Sequence, residues 1–186
     1  MEVHAKGAGL EDTLRIIAVW THILGIALFV GPQFFLAFAW GPAARTIKDQ
    51  NTRLDLTRTL TRRFGWIGGI GIVLIVVAGS FLIATWRDYY AQPDVGFTDI
   101  WYGVIFIVKM NLLIVMLAIL AMHMFYVGPR LVNAMDEHIN RGGPESAVRS
   151  ARMLSMAFSI AGLVLALALM VMGVMMNTTG FSFENR

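Results

Sequence analysis

A chain of 186 residues that is 57% hydrophobic and only 15% charged, with its apolar residues gathered into long blocks rather than short amphipathic runs, reads as a membrane protein. Its net charge of +3 and pI near 9.6 do not mark a nucleic-acid binder, because the basic residues flank apolar blocks, where they set membrane orientation. With no cysteine, the chain has no disulfides, thiolate metal sites or thiol redox chemistry.

Four apolar blocks, about 16–40, 64–86, 100–127 and 153–176, each supply the roughly 20 residues a helix needs to cross hydrocarbon. A transmembrane barrel would instead show alternating polarity in segments of about ten residues. The expected fold is an all-α integral membrane protein with a single domain over 1–186, a four-transmembrane-helix bundle built from two hairpins. The first block exceeds the apolar core of a cleavable signal and follows Glu2, Glu11 and Asp12, so it is expected to remain as a span.

After the first block comes Gly41-Pro42, read as the end of that helix, and a segment with Arg45, Lys48, Arg53, Arg58, Arg62 and Arg63. Leucines and arginines over 53–63 predict that the second helix starts before it enters the membrane, with the arginines as a solvated collar. The second block is rich in small residues, Gly65, Gly68, Gly69, Gly71 and Gly79, which permit close packing between helices. Trp86 and Trp101 border a short turn that contains Tyr89, Tyr90, Pro93 and Asp94. The third block ends at Gly128-Pro129, again read as a helix stop, and is followed by Arg130, Arg141, Arg149 and Arg152. Ten of the 15 Lys and Arg residues thus lie in 41–63 and 128–152, which predicts these loops to be cytoplasmic and both termini outside, in the cell (inner) membrane. Carrying Pro42 onto Pro129, a shift of 87 residues, also carries His22 onto Lys109, which raises an internal repeat as a hypothesis.

Within the spans, His22 and Lys109 stand out. At 1.5 Å per residue they lie roughly 9 Å and 13 Å below the outer ends of their helices, hence at one level. A lysine at such depth costs about 3 kcal/mol on insertion scales and calls for a partner or a cavity. His22, Gly25, Phe29 and Gln33 share one helix face, as do Lys109, Met116 and His123. His123 lies about 25 Å deeper than His22, so one haem iron cannot take both. Twelve methionines are many for this length, and Met170, Met172, Met175 and Met176 crowd the end of the fourth span; thioether and imidazole suit Cu(I), while methionine is equally a filler of helix interfaces. His4, in the leader, is read as uninvolved. No nucleotide loop, catalytic triad or HExxH motif is present, and the carboxylates sit outside the spans, so hydrolysis is not expected.

Arg62-Arg63 before the second span, Ala78-Gly79 late in it, Tyr102-Gly103, Lys109 seven residues after that tyrosine, and Trp20-Thr21-His22 with Gly31 resemble the membrane domain of the copper-resistance protein D (CopD) family. Ala-Gly stands where that family often has Thr-Gly, and the extra spans of its longer members are missing. More distantly, the pair His22 and Lys109 is similar to the histidine and lysine of HemJ-type protoporphyrinogen oxidases, without the histidine those place just before the lysine. The CopD resemblance implies a protein that binds or transports copper, with His22, Met170 and Met172 as metal ligands. The alternative is a redox protein holding haem b or a porphyrin through His22 and Lys109. A third reading is an accessory subunit of a larger membrane complex or a homo-oligomer, with the lipid bilayer as its surroundings and no nucleic-acid partner.

Overall fold

The structure, a computed structural model, describes residues 2–89 and 95–182. Tyr90, Pro93 and Asp94 lie outside the described residues, as do the side chains of His4 and Tyr89. Nearly every described residue is helical: α1 Glu2–Phe34, a π-helical turn π1 Phe35–Trp40, α2 Gly41–Thr46, α3 Gln50–Ala84, α4 Trp86–Tyr89, α5 Trp101–Met122, a second π turn π2 His123–Val127, α6 Gly128–Arg141, α7 Glu145–Asn177 and α8 Thr179–Ser182. Four continuous helical stretches, Gly9–Thr46, Gln50–Ala84, Trp101–Arg141 and Glu145–Asn177, are long and apolar enough to cross a membrane. As the leucine and arginine pattern predicts, α3 begins ahead of its apolar block.

The two Gly-Pro pairs do not end helices, contrary to the sequence reading. Each instead follows a π turn and opens a further α-helical segment. Proline lacks the N–H that an α-helix would bond to the fourth carbonyl back, and its ring collides with that carbonyl. A π turn removes the conflict by shifting the ladder to the fifth residue back. The Gly128 N–H accordingly bonds to the carbonyl of His123. A Cβ on Gly128 would stand 3.1 Å from that oxygen, a tight contact that glycine avoids.

The chain divides into two compact units, Met1–Trp40 with Arg62–Pro93 and Gly41–Thr61 with Asp94–Arg186. In the first, α1 and α3 touch backbone to backbone at Gly25 and Gly71. A Cβ on Gly25 would lie 2.7 Å from the Gly71 carbonyl oxygen, and one on Gly71 would lie 2.7 Å from the Gly25 oxygen and 2.9 Å from the Phe29 amide nitrogen. Contacts run from His22 with Gly79 through Gly25 with Gly71 to Phe29 with Gly68, so the two helices are antiparallel. The opposite face of α3 presents Trp66, Ile70, Val73 and Val77, exposed by 72, 54, 59 and 65%. Large apolar groups outward and small residues inward is the arrangement lipid favours, because association there relies on close packing rather than on escape from water.

In the second unit α5 packs along α7, and beyond the apolar stretches α6 closes a small core in which Leu54, Met135 and Val148 are buried against Leu131, Val132, Ala134 and Ile139. Arg58 reaches Asp136 at 4.0 Å and Asp55 at 3.7 Å, exposed pairs that add little. The α6 helix stops at Gly142, whose φ of 68° is left-handed, and the Gly143 N–H returns to the Glu137 carbonyl. His138 Nδ1 lies 2.7 Å from the Gly143 carbonyl oxygen and ties the turn shut. Gly103 sits so close to Phe97 that a Cβ would overlap the Phe97 carbonyl. At the start of α3, Asp49 Oδ2 accepts from the Thr52 hydroxyl and from the Thr52 amide at 2.9 Å, a helix cap that holds its carboxyl below its usual range.

Gly71→Leu is expected to lower stability by about 1–3 kcal/mol through overpacking, whereas Gly69→Leu, where a Cβ meets nothing within 4 Å, leaves it nearly unchanged. Thermal unfolding of the two variants in detergent makes the comparison. Because the Asp49 carboxyl is depressed in the native chain, its cap contributes fully above the free-carboxylate value of 3.8 and is lost as the pH falls through the lower native value. The protection of the Thr52 amide against hydrogen exchange, taken relative to its intrinsic rate at each pH, should therefore fall on acidification, and Asp49→Ala should abolish that pH dependence of the protection.

Candidate functional site

His22 is held by its own unit. Its helix places the imidazole over Gly79 of α3, where an added Cβ would come within 3.2 Å of Cε1 and 3.5 Å of Nδ1. Nδ1 lies 3.0 Å from the carbonyl oxygen of Ile75. A carbonyl only accepts, so Nδ1–H donates, and in the neutral ring Nε2 carries the lone pair. The Ile75 carbonyl thus takes a second donor beyond its helical bond, and the ring is fixed in orientation and tautomer. Gly25 and Phe29 are buried on the same face, and Gln33 Nε2 donates to the Phe29 carbonyl at 3.3 Å. Of the face read from the spacing of these four residues, His22, Gly25 and Phe29 pack on α3.

Lys109, Met170 and Met172 belong to the second unit. Lys109 is half-buried and points its amine at Gly173 of α7, where a Cβ would stand 3.4 Å from Nζ. Among the described residues no carboxylate lies within ion-pair distance of it. Met116, one turn-pair further along the same face, is buried. Met170 is exposed and Met172 half-buried; two positions apart on a helix, they point to different sides of α7. Among the described residues no three His, Asp or Glu side chains cluster in a way that could hold a metal ion.

His123 is better buried than its place at the end of an apolar block suggests. It opens π2, its ring stacks on Phe158 of α7 at 6.5 Å and 28°, and its Nδ1 is buried without a hydrogen-bond partner. Nothing in the local sequence signals this, because the stacking partner is 35 residues away, from His123 to Phe158.

The sequence profile of the family described as copper resistance protein D matches residues 58–171, more than half of the chain. This chain belongs to the copper resistance protein D family. The CopD match contains Ala78-Gly79, Tyr102-Gly103, Lys109 and Met170, while His22 and Met172 lie beyond its limits. Two of its short motifs have physical reasons here: Gly79 leaves room for the His22 ring, and Gly103 leaves room for the Phe97 carbonyl. A UPF0182 protein of Nocardioides sp. (strain ATCC BAA-499 / JS614) is 31% identical over 132 residues, which is 60% of this CopD-family chain and 13% of that protein. The chain therefore spans only a small part of the length of the curated relative it matches. No solved structure matches.

The His22 geometry makes a direct spectroscopic prediction. Nitrogen-15 spectra of histidine-labelled protein should show the His22 proton on Nδ1, and Gly79→Val should displace that signal by pushing the ring off the Ile75 carbonyl. A proton on Nε2 in the unaltered chain would contradict the assignment.

Proposed function

We propose that this CopD-family chain binds Cu(I) within the membrane and passes it on, with His22 as an imidazole ligand through Nε2 and Met170 and Met172 as thioether donors. The observation that carries the reading is the bond from His22 Nδ1–H to the Ile75 carbonyl, 3.0 Å long. A backbone carbonyl behind the distal nitrogen is the outer-shell support that metal-binding histidines generally have, since it orients the ring and raises the basicity of the ligating nitrogen. Thioether and imidazole are both ligand types that suit Cu(I). Because Met170 and Met172 face different sides of α7, they serve as successive donors along a path rather than as two walls of one cage. Copper is here cargo. The arginine-rich segments 41–63 and 128–152 face the cytoplasm, both termini lie outside, and the chain resides in the cell (inner) membrane as two helical hairpins.

One observation favours a second reading. The half-buried Lys109 amine has no carboxylate partner among the described residues, and a protonated amine repels Cu(I) while it would pair with the propionate of a haem or porphyrin. In that case His22 is the axial ligand or proton acceptor and Lys109 anchors the carboxylate edge.

Metal analysis and a visible spectrum of the purified protein separate the two. The expected result is a colourless protein with stoichiometric copper that falls in His22→Ala and in the Met170→Leu, Met172→Leu double variant. A Soret band that vanishes in His22→Ala overturns the copper reading in favour of haem. Neither copper nor colour overturns both and leaves a subunit that braces a larger complex.

A further inference from the structure

Asn111 is an uncharged polar residue in the middle of α5, two positions after Lys109 and so on a different side of the helix. At 1.5 Å per residue from Trp101 it lies about 15 Å along the helix, halfway through a hydrocarbon layer of about 30 Å. Its side chain is exposed. Nδ2 donates to the Ile107 carbonyl of its own helix at 2.8 Å, which leaves the second amide hydrogen and the amide oxygen facing outward. A lipid-facing stripe of valine and isoleucine needs no explanation. An amide at that depth does, because acyl chains offer it neither donor nor acceptor.

The spacing around it is that of a helix-pair seam. Val104, Val108, Asn111, Val115, Ala118 and Met122 follow one another at intervals of four, three, four, three and four, the 3.5-residue period that keeps one face turned to a partner helix. Val108, Val115 and Met122 are exposed by about half, at 48, 48 and 50%, and Ala118 is small enough for close approach.

The geometry points to a second copy of this chain as the occupant: we propose that α5 pairs with α5 of another copy about a twofold axis along the membrane normal, with the two Asn111 amides hydrogen-bonded to each other. Two reasons select a second copy. An amide holds a donor and an acceptor, so it complements itself. Copies inserted in one orientation also bring the same residue to the same depth, so a twofold pair sets Asn111 opposite Asn111 with no further adjustment. A single asparagine in an otherwise apolar seam fixes register in helix pairs of this period. The inference does not depend on what the protein binds.

The cysteine-free sequence makes the test direct. Single-cysteine variants Val108→Cys and Val115→Cys, treated in native membranes with a short thiol-specific cross-linker, are expected to give a band of twice the chain mass. Val73→Cys, more exposed still but on α3, is expected to give none. Energy transfer between labelled copies in liposomes should show that Asn111→Leu weakens self-association about tenfold while Asn111→Gln keeps most of it, the size that an interhelical amide bond supplies in lipid. The proposal fails if the α5 variants stay monomeric, if they cross-link to a different protein, if Val73→Cys dimerises as readily, or if Asn111→Leu associates as strongly as the unaltered chain.

Discussion

Hydrocarbon offers a polypeptide no hydrogen bonds, and this single constraint shapes the chain from its backbone outward. Each N–H and C=O within the spans must be satisfied by the chain itself, which is why nearly all of the described structure is helix. Where the apolar blocks end, a proline does not end the helix either. In water a Gly-Pro pair is a convenient stop, since solvent takes over the freed carbonyls. At Gly41-Pro42 and Gly128-Pro129 the chain instead widens by a π turn and carries on as helix. The shift of 87 residues that brings Pro42 onto Pro129 also brings the ends of the two π turns, Trp40 and Val127, into coincidence. The same backbone device thus recurs at the offset that superposes His22 on Lys109.

Side chains follow the same logic at one remove. His22 and Lys109 each belong to the first long helix of their unit and each rest on a glycine of the second, Gly79 and Gly173. A missing Cβ there does two things: it lets helices approach, and it opens a recess in which a polar group sits within reach of backbone. For His22 the recess also supplies the Ile75 carbonyl. The Gly25 and Gly71 crossing sets how far apart α1 and α3 stand, and thereby whether that carbonyl lies at bonding distance from the imidazole. Helix packing and the setting of the His22 ring are coupled through a few positions where no side chain exists.

Much of this could be read in the residue pattern, and the limits are physical. Four apolar blocks announce four spans, because length and composition alone decide whether a helix crosses lipid. His22 and Lys109 announce themselves because ionisable groups are costly there. The glycine-rich second block advertises close packing, yet which glycine meets which requires the partner helix, and periodicity does not encode it. The ends of the first and third spans were misplaced for a definite reason: Gly-Pro carries its stop meaning from aqueous proteins, and the amphipathic α6 beyond Gly128 has a short apolar stripe hidden in a charged segment. His123 and Asn111 escaped for opposite reasons. One looked interfacial but is covered by Phe158, and the other is neutral and stands in the shadow of a nearby lysine.

The π turn at His123–Val127 has a further consequence, for the azimuth of everything after it. One additional residue in a turn rotates the following helix by about 100° relative to an unbroken rod. The packing stripes of α5 and α6 are therefore indexed separately although the helical stretch runs on without a break. Met135 can look toward Leu54 and Val148 because the rod has been re-phased just below it. Excising a single residue from 123–127 would return the rod to uniform pitch and swing Met135 away from that core, so the turn acts as a coupling that lets the membrane and aqueous halves of one helix answer to different neighbours.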